Sequence, residues 1–215
     1  MKHPPPPARQ RGETLVGLLV GVALGLGVLA LGAHMLARLL AEQRQLLAHS
    51  RLQQDLHFML ERMANELQDA QYSASAWRTR DRQTCSDDFC NGPDDFSISD
   101  DGLLWSLDRN HNGVQDNNEC TGYRLRAGVL QQRSACQPEN WLALSDPASF
   151  QLSGLRASLH CQLLAGWVQR QVLLELQAQP SGPGPMQPQQ APETLRLWVR
   201  LGNDLPASAA AGVCP

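Results

Sequence analysis

The longest regular pattern in the sequence is an uncharged, apolar stretch near its start. The residues from Thr14 to Ala33 are Leu, Val, Ala and Gly with a single Thr. At ~1.5 Å rise per residue, a helix of this length spans roughly 30 Å, which is the thickness of the hydrocarbon core of a bilayer. The pattern therefore predicts a helix that can cross a membrane.

The helical pattern continues beyond this stretch with a different character. Residues at helical spacing form an apolar stripe, and charged residues fill much of the opposite face. The stripe consists of Leu36, Leu39, Leu40, Gln43, Leu46, Leu47, Ser50, Leu56, Met59, Leu60, Met63, Leu67 and Ala70. We expect one continuous helix that is apolar all round over residues 13–36 and two-faced over residues 37–76. A removable secretory signal is disfavoured. Such signals have an apolar core of only about 7–15 residues followed by a small-x-small cleavage site, whereas this apolar run is longer and no clear site of that kind follows it.

The rest of the chain, residues 77–215, changes from a helical period to a strand period. Residues 73–102 are polar and rich in turn formers. Strand-like runs then follow at Leu103–Leu107, Tyr123–Leu125, Val129–Gln132, Phe150–Leu152, Leu155–Leu163, Trp167–Ala178 and Thr194–Leu201. Pro180–Glu193 is predicted to be an exposed loop, and Ala207–Pro215 a tail that only Cys214 holds. The predicted fold is α+β: a long N-terminal helix packed on an antiparallel sheet in a disulfide-bonded head.

The six cysteines all follow residue 80: Cys85, Cys90, Cys120, Cys136, Cys161 and Cys214. In a chain that crosses a membrane, an even number favours disulfides in an oxidising compartment. A hairpin turn at Ala127–Gly128 brings Cys120 close to Cys136. Cys85 and Cys90 enclose a short loop and are expected to pair locally, which leaves Cys161 for Cys214. Six cysteines allow 15 connectivities, so the other pairings stay open.

One segment of the head matches a metal-binding pattern. The segment from Asp108 to Glu119 satisfies D-x-[DN]-x-[DN]-G-x5-E, the pattern of an EF-hand calcium loop. The predicted Ca²⁺ ligands are Asp108, Asn110, Asn112, the main-chain carbonyl of Val114, Asp116 and Glu119. The flanking segments are strand-like, so EF-hand helices are not expected. The alternative is a connector centred on Asn-Gly that binds nothing, and no other cofactor is expected.

The first twelve residues contain Lys2, Arg9 and Arg11 and no acidic residue. Such a basic leader is expected to stay in the cytoplasm, so the chain after the helix is exported. The junction Arg11-Gly12-Glu13-Thr14 and the apolar run after it resemble the processing site of type IV pilins and pseudopilins. The resemblance implies that a prepilin peptidase cuts between Gly12 and Glu13, removes residues 1–12 and methylates Glu13.

This site departs from the usual pattern of that family in two positions. The mature chain would begin with Glu13 instead of Phe or Met, and its fifth residue is Gly17 instead of Glu. The usual glutamate pairs with the terminal ammonium of a neighbouring subunit, and a buried ammonium without a partner is costly. The departure resembles the pseudopilins found at a filament tip. An ordinary minor subunit with a degenerate motif is the alternative.

Three glycines of the apolar stretch, Gly17, Gly21 and Gly25, recur every four residues. This spacing places small residues on one helix face, where a second helix can approach closely in lipid. We expect these glycines to contribute to assembly. The alternative is that glycine is simply common in membrane helices.

The head extends the resemblance to a particular group of minor pilins. A D-x-N-x-N-G-x-x-D loop follows a Trp-containing strand, with a C-x4-C pair, a G-Y-R-L segment and a later Cys before Trp141. These features resemble the proteins named prepilin peptidase-dependent protein B and, more loosely, the PilW-like subunits. The resemblance implies a structural subunit that primes or caps a type IV pilus or type II secretion pseudopilus. It also implies a single-pass protein of the bacterial inner membrane with a periplasmic head, whose partners are the prepilin peptidase and other minor and major pilins.

Other functional classes have less support. A membrane-anchored, calcium-dependent adhesin that is not polymerised is the main alternative. An exported enzyme is disfavoured, because no hydrolase, zinc-protease or P-loop motif is present and His160 and Cys161 point to opposite faces of a strand. The formal charge of −3 argues against nucleic-acid binding, and the arginines of Tyr123–Arg133 are expected to be scattered solvated charges rather than a DNA-contacting strip. The five tryptophans are expected to lie in the core or at partner contacts: Trp77, Trp105, Trp141, Trp167 and Trp198.

Overall fold

The computed structural model describes residues 15–90, 92, 94–180, 192–210 and 214. The expected leader and most of the loop predicted over Pro180–Glu193 lie outside these residues. The chain divides into two units, Met1–Ala48 and His49–Pro215, which are described separately below.

The first element is helix α1 (Leu15–Gln68), which confirms the prediction of a long N-terminal helix. It ends at Gln68, before the expected end at residue 76. The reason lies at Gln71, which adopts a positive φ of 58° and donates its main-chain N–H to the Ser106 carbonyl at 2.7 Å. The Gln71 side chain also donates to the carbonyls of Phe89 and Cys90. These bonds turn the chain away from the helix axis into the head.

Two antiparallel sheets follow in the second unit. The first is a meander of β1 (Phe96–Ser99), β2 (Gly102–Ser106), β3 (Cys120–Arg126), β4 (Val129–Ala135) and β5 (Asn140–Ala143). The second contains β6 (Phe150–Leu164), β7 (Trp167–Pro180), β8 (Glu193–Arg200) and β9 (Leu205–Pro206), with β7 paired to the other three strands. Two short helices, α2 (Ala76–Thr79) and α3 (Ala207–Ala210), complete the described elements.

The strands differ from the sequence expectation in three ways. The runs Phe150–Leu152 and Leu155–Leu163 form one strand, β6, with an irregularity in register between Leu152 and Gly154. β1 and β5 were not predicted, because each has four residues and is too short to show a period. The expectation that only Cys214 holds the tail from Ala207 was wrong, because the tail begins with α3, whose Ala210 is buried.

The hydrophobic core lies between the second part of α1 and both sheets. The side chains that α1 contributes are Leu52, Leu56, Met59, Leu60, Met63, Ala64 and Leu67. They meet buried residues of the first sheet, such as Trp105 and Tyr123, and of the second, such as Val172 and Leu174. Burying each large apolar side chain stabilises the fold by roughly 1.5–3 kcal/mol. The α+β fold, with a helix packed on antiparallel sheets and three disulfides, is confirmed.

A pair of leucine truncations tests where the head begins along α1. Leu56 is fully buried and Leu46 is 69% exposed. We expect Leu56→Ala to lower the free energy of unfolding by about 2–5 kcal/mol, because it leaves a cavity. Leu46→Ala should change it by no more than about 0.5 kcal/mol. Denaturant unfolding of the full chain in detergent measures both, and equal effects would contradict the assignment of the core.

Candidate functional site

The first unit offers an apolar helical surface along α1. The described side chains from Leu15 to Ala48 are exposed. This part of α1 is long and apolar enough to cross a membrane, which is consistent with a single-pass anchor. A hydrocarbon environment would account for the exposed leucines and valines.

The predicted assembly glycines lie on this uncovered surface. Gly17, Gly21 and Gly25 all fall within α1. A Cβ atom added at Gly21 or at Gly25 would meet nothing within 4 Å, so this chain alone does not require a small residue there. Their role in assembly stays a prediction. The predicted processing residues, Gly12 and Glu13, lie outside the described residues.

The two parts of the apolar stripe predicted along α1 differ in their exposure to solvent. From Leu52 onward its residues are buried in the core of the second unit. Its earlier leucines remain between 46% and 69% exposed, although they have the same helical spacing: Leu36, Leu39, Leu40, Leu46 and Leu47. The charged side chains of this segment show that it is not simply a longer apolar anchor. The exposed stripe is therefore a candidate surface for contact with other helices.

Three disulfides stabilise the head, and they join the same pairs that the sequence analysis expected. Cys120 pairs with Cys136 because β3 and β4 form the expected hairpin, in which Arg126 lies opposite Val129. Cys85 pairs with Cys90 across a short loop. Cys161 of β6 pairs with Cys214.

The loop closed by Cys85 and Cys90 also carries a buried ion pair. Arg80 donates to Asp87 through Nε at 2.6 Å and through Nη2 at 2.8 Å. Both side chains are almost fully buried, with 4% and 1% exposed. Burial by itself would raise the pKa of Asp87, but the hydrogen bonds and charge of Arg80 outweigh it and hold the pKa below its ordinary value. The sulfur atoms and the Asp87 carboxylate lie within 4.8 Å of one another, but the disulfide leaves no thiolate for a metal.

A buried arginine, which the sequence analysis missed, joins the end of α1 to the second sheet. Arg170 of β7 donates to the Gln71 side-chain oxygen and to the main-chain oxygen of Asn203, and it lies over the Phe96 ring. Desolvation lowers its pKa to about 10, and the nearby Arg80 charge acts in the same direction. The signal was present in the sequence, because Arg170 is in phase with Val168 and Val172, which point inward.

In the predicted calcium loop, one carboxylate of the motif is buried and holds main-chain N–H groups. Asp108 is fully buried. Its Oδ2 accepts from the N–H groups of Ala74 at 2.9 Å and Gly113 at 3.0 Å, and its Oδ1 accepts from Asn112 at 3.0 Å. Gly113 has a φ of 77°, so a glycine is favoured at this turn.

The other ligand candidates close the loop in a similar way. Glu119 is fully buried and accepts main-chain N–H groups of Arg109 at 2.7 Å and Asp116 at 2.8 Å. The Asp116 carboxylate accepts the side-chain amides of Asn110 at 2.6 Å and Asn112 at 3.0 Å. The N–H of Val114 donates to the Asn112 side-chain oxygen at 2.7 Å. The structure thus brings all six predicted positions into one hydrogen-bonded loop.

The donor set of this loop suits a hard, oxygen-seeking cation, but its carboxylates are not gathered around one point. Ligands 2.3–2.6 Å from a Ca²⁺ ion lie at most about 5 Å apart. Among the described residues, Asp108, Asp116 and Glu119 do not form a cluster within 4.8 Å. The Asn110 and Asn112 amides that now donate to Asp116 would have to release it. Calcium binding therefore stays a prediction.

The loop is attached to the segment that follows α1. The main-chain N–H of Asp108 donates to the Tyr72 carbonyl at 2.9 Å. The Tyr72 hydroxyl lies 3.2 Å from Nδ1 of His111, and the two rings meet edge to face with centroids 5.4 Å apart. Gln115 donates its side-chain amide to Asp95 at 3.0 Å. A change in the conformation of the loop would therefore alter the contacts of Tyr72, just after the end of α1.

Thermal unfolding of the full chain in detergent tests the calcium prediction. We expect Ca²⁺ to raise the Tm relative to EGTA, because a ligand at 100 times its Kd stabilises the folded state by about 2.7 kcal/mol. Glu119→Gln should abolish the shift. Asp101→Asn, which changes an exposed carboxylate outside the loop, is the matched control. An unchanged Tm of the wild-type chain in millimolar Ca²⁺ would contradict the prediction.

The buried ion pair yields a second prediction. Asp87→Asn leaves Arg80 buried without its counter-charge, so we expect a loss of about 3–5 kcal/mol in the free energy of unfolding. The stability that ionised Asp87 contributes is present above the pKa of an unfolded aspartate, about 4, and is lost as the pH falls through the lower folded pKa. The variant should therefore lose less stability than the wild type on acidification. Asp88→Asn, at the exposed neighbouring carboxylate, is the control, and equal effects of the two substitutions would contradict the argument.

The head and the last part of α1 together match one known protein family. The family model described as prepilin peptidase-dependent protein B matches residues 45–201. This range includes the buried stripe of α1 and the strands from β1 to β8. No curated protein and no solved structure matches the chain.

Proposed function

Because the chain belongs to the prepilin peptidase-dependent protein B family, we propose that it is a minor pilin or pseudopilin. In this role it is a structural subunit that primes or caps the assembly of a type IV pilus or a type II secretion pseudopilus. The family is pilin-related and structural, so the function needs no catalytic residue. The family name implies dependence on the prepilin peptidase.

The single observation that carries the proposal is the exposed stripe on α1. A monomeric soluble protein rarely leaves a long apolar surface uncovered. Here the stripe from Leu36 to Leu47 adjoins a helix that suits a bilayer, yet the same segment carries Arg38, Glu42 and Arg44 on its other face. Lipid would cover the apolar anchor, whereas a two-faced helix is best covered by other helices. In a subunit that moves from the bilayer into a bundle of similar helices, both the apolar anchor and the two-faced segment of α1 would be covered.

The sequence before α1 supports the processing step of this proposal. The peptidase would cut between Gly12 and Glu13 at the cytoplasmic face, and the apolar helix would remain attached to the head. The removed segment carries Lys2, Arg9 and Arg11, which hold it in the cytoplasm. The head then lies in the periplasm, an oxidising compartment that suits three disulfides.

The position of the subunit in the filament follows from residue 17. A subunit with Gly17 in place of the usual glutamate offers no carboxylate to a neighbour's terminal ammonium. We place it at or near the tip, where one of its two axial neighbours is absent. An ordinary minor subunit with a degenerate motif is the alternative, and restoring glutamate at position 17 without any change in filament initiation would favour it.

N-terminal mass spectrometry of the membrane-extracted protein tests the proposal. In cells with the prepilin peptidase, we expect a chain that begins with methylated Glu13. In cells without it, and in a Gly12→Val variant of the full chain, we expect intact Met1–Gly12. Cleavage removes the basic leader, so the two forms also separate by charge.

Two outcomes would contradict the proposal. One is an intact leader in the presence of the active peptidase. The other is a cleaved subunit that is absent from sheared filaments and whose deletion leaves filament number unchanged. The second outcome would favour a membrane-anchored, calcium-dependent binding protein that is not polymerised.

A further inference from the structure

The outer face of the second sheet combines aromatic and basic side chains. In β8, Leu195, Leu197 and Val199 pack on the core, so Arg196, Trp198 and Arg200 point the other way. The same alternation in β6 and β7 directs their outward residues to this face. We call it the outer sheet face and define it by Arg156, Ser158, His160, Gln171, Leu173, Glu175, Arg196, Trp198 and Arg200.

The strand register aligns these residues in three rows across β6, β7 and β8. The middle row is Ser158, Leu173 and Trp198. Arg156, Glu175 and Arg196 form the row on one side, and His160, Gln171 and Arg200 form the row on the other. The middle row carries the two apolar side chains of the face, Leu173 and Trp198, and the rows on either side of it are polar, as in an interface with a polar rim.

The middle row ends on the edge strand β8 in an exposed tryptophan that is held in a defined position. Trp198 is 54% exposed. The His160 ring meets it edge to face, with centroids 4.8 Å apart, so its rotation is restricted. Large amphipathic side chains that are already ordered lose little entropy on binding, and tryptophan is enriched among the residues that carry binding energy.

The charge of the face is opposite in sign to that of the whole protein. Three arginines face one glutamate, whereas the chain has a formal charge of −3. Arg196 holds Glu175 at 2.6 Å, and this bond lowers the pKa of Glu175 so that the carboxylate stays ionised. Arg156 and Arg200 remain directed outward. A partner surface that presents carboxylates is complementary to them.

The outer sheet face is not flat, because a cleft lies beside its middle row. It has a volume of about 570 Å³ and lies between the end of β1 and the outer sheet face. Ile98, Ser99 and Asp100 form one wall, and Leu173 and Arg156 are among the residues of the other. A protruding side chain of a partner can enter it, which a flat sheet alone would not allow.

We infer that the outer sheet face binds the head of another pilin-like subunit, through carboxylates of that subunit placed against Arg156 and Arg200 around Trp198. The inference rests on the proposed function, because it requires neighbouring subunits. Trp198 is the anchor of this contact, and the arginines set its orientation. Most of the contact lies on the sheet surface opposite to the one that packs on α1, and at the edge strand Trp198 and Arg200 also border a cleft whose other wall includes Glu61 of α1.

The same observations disfavour other ligands of the face. A nucleic acid strand is bound by successive aromatic platforms in a groove of continuous positive charge. Here a single tryptophan is present, and the Glu175 carboxylate lies between two arginines, where it would repel a phosphate. A lipid surface requires several apolar side chains that protrude together, whereas Leu173 is half-buried.

Photo-cross-linking in cells that assemble the filament tests the inference. Benzoylphenylalanine is placed in the full chain at Gln171, which shares the outer sheet face and leaves Trp198 and the arginines intact. Ala148, which is exposed between β5 and β6, is the matched control position. We expect a light-dependent adduct with another pilin-like subunit from position 171 only, and an Asp or Glu in or beside the cross-linked peptide.

Substitutions then test which residues hold the partner. Trp198→Ala and Arg200→Glu should each lower the adduct yield roughly tenfold or more, as expected for residues at the centre of an interface. The matched controls are Trp77→Ala and Arg126→Glu, which change exposed residues outside the face and should leave the yield unchanged. Thermal unfolding of the four variants in detergent checks that each is folded.

Three results would overturn the inference: an adduct with nucleic acid or lipid, a yield that is indifferent to Trp198 and Arg200, or no adduct in filaments that contain the cleaved subunit. Leader removal and recovery in sheared filaments are scored in the same cells. Their failure argues against the proposed function itself. Their success without the adduct argues only against this use of the outer sheet face.

Discussion

The structure depends on the apolar surface of one helix, α1. This surface changes along the helix from an apolar first part, through an exposed stripe, to a buried stripe. From Leu52 to Leu67 the apolar stripe of α1 is buried by two sheets, and that burial organises the core of the head. The leucines of the stripe before it are exposed among the described residues, and the first part of α1 has an apolar surface all round. Burying apolar surface is the dominant favourable term in association as in folding. The proposed function supplies cover for both exposed parts, a bilayer for the apolar anchor and partner helices for the stripe.

A set of buried polar contacts determines where the helix stops. Gln71 accepts from Arg170 and donates to the loop closed by Cys85 and Cys90, and Asp87 of that loop pairs with Arg80. Buried charges are costly unless they are paired and hydrogen-bonded, so these groups are satisfied only in one relative arrangement of strand, loop and helix end. The geometry of the head thus depends on a few polar contacts as well as on its apolar core.

The parts of this structure that sequence could predict are those with a periodic or pairwise signal. Helical spacing indicated α1, and the turn at Ala127–Gly128 placed Cys120 beside Cys136. The four-residue strands β1 and β5 carry no such signal, and the end of α1 depends on Gln71, whose partners lie far away in sequence. The calcium motif predicted one compact loop but not its closure by the Asn110 and Asn112 amides, because side-chain rotation is not encoded in residue spacing.

The disulfide between Cys161 and Cys214 fixes the C-terminal segment to the second sheet. It joins residues 53 positions apart, whereas the other two bridges span 5 and 16. In the chain-entropy description, closing the longest of these loops removes the most freedom from the unfolded chain, about 4 kcal/mol at 25 °C. The two short bridges can form within local hairpins, but this one requires β7 and β8 to be in place between its ends. Cys214 packs beside Val168, Leu205 and Ala210, so a free thiol at this position would be expected to accompany an undocked C-terminal segment.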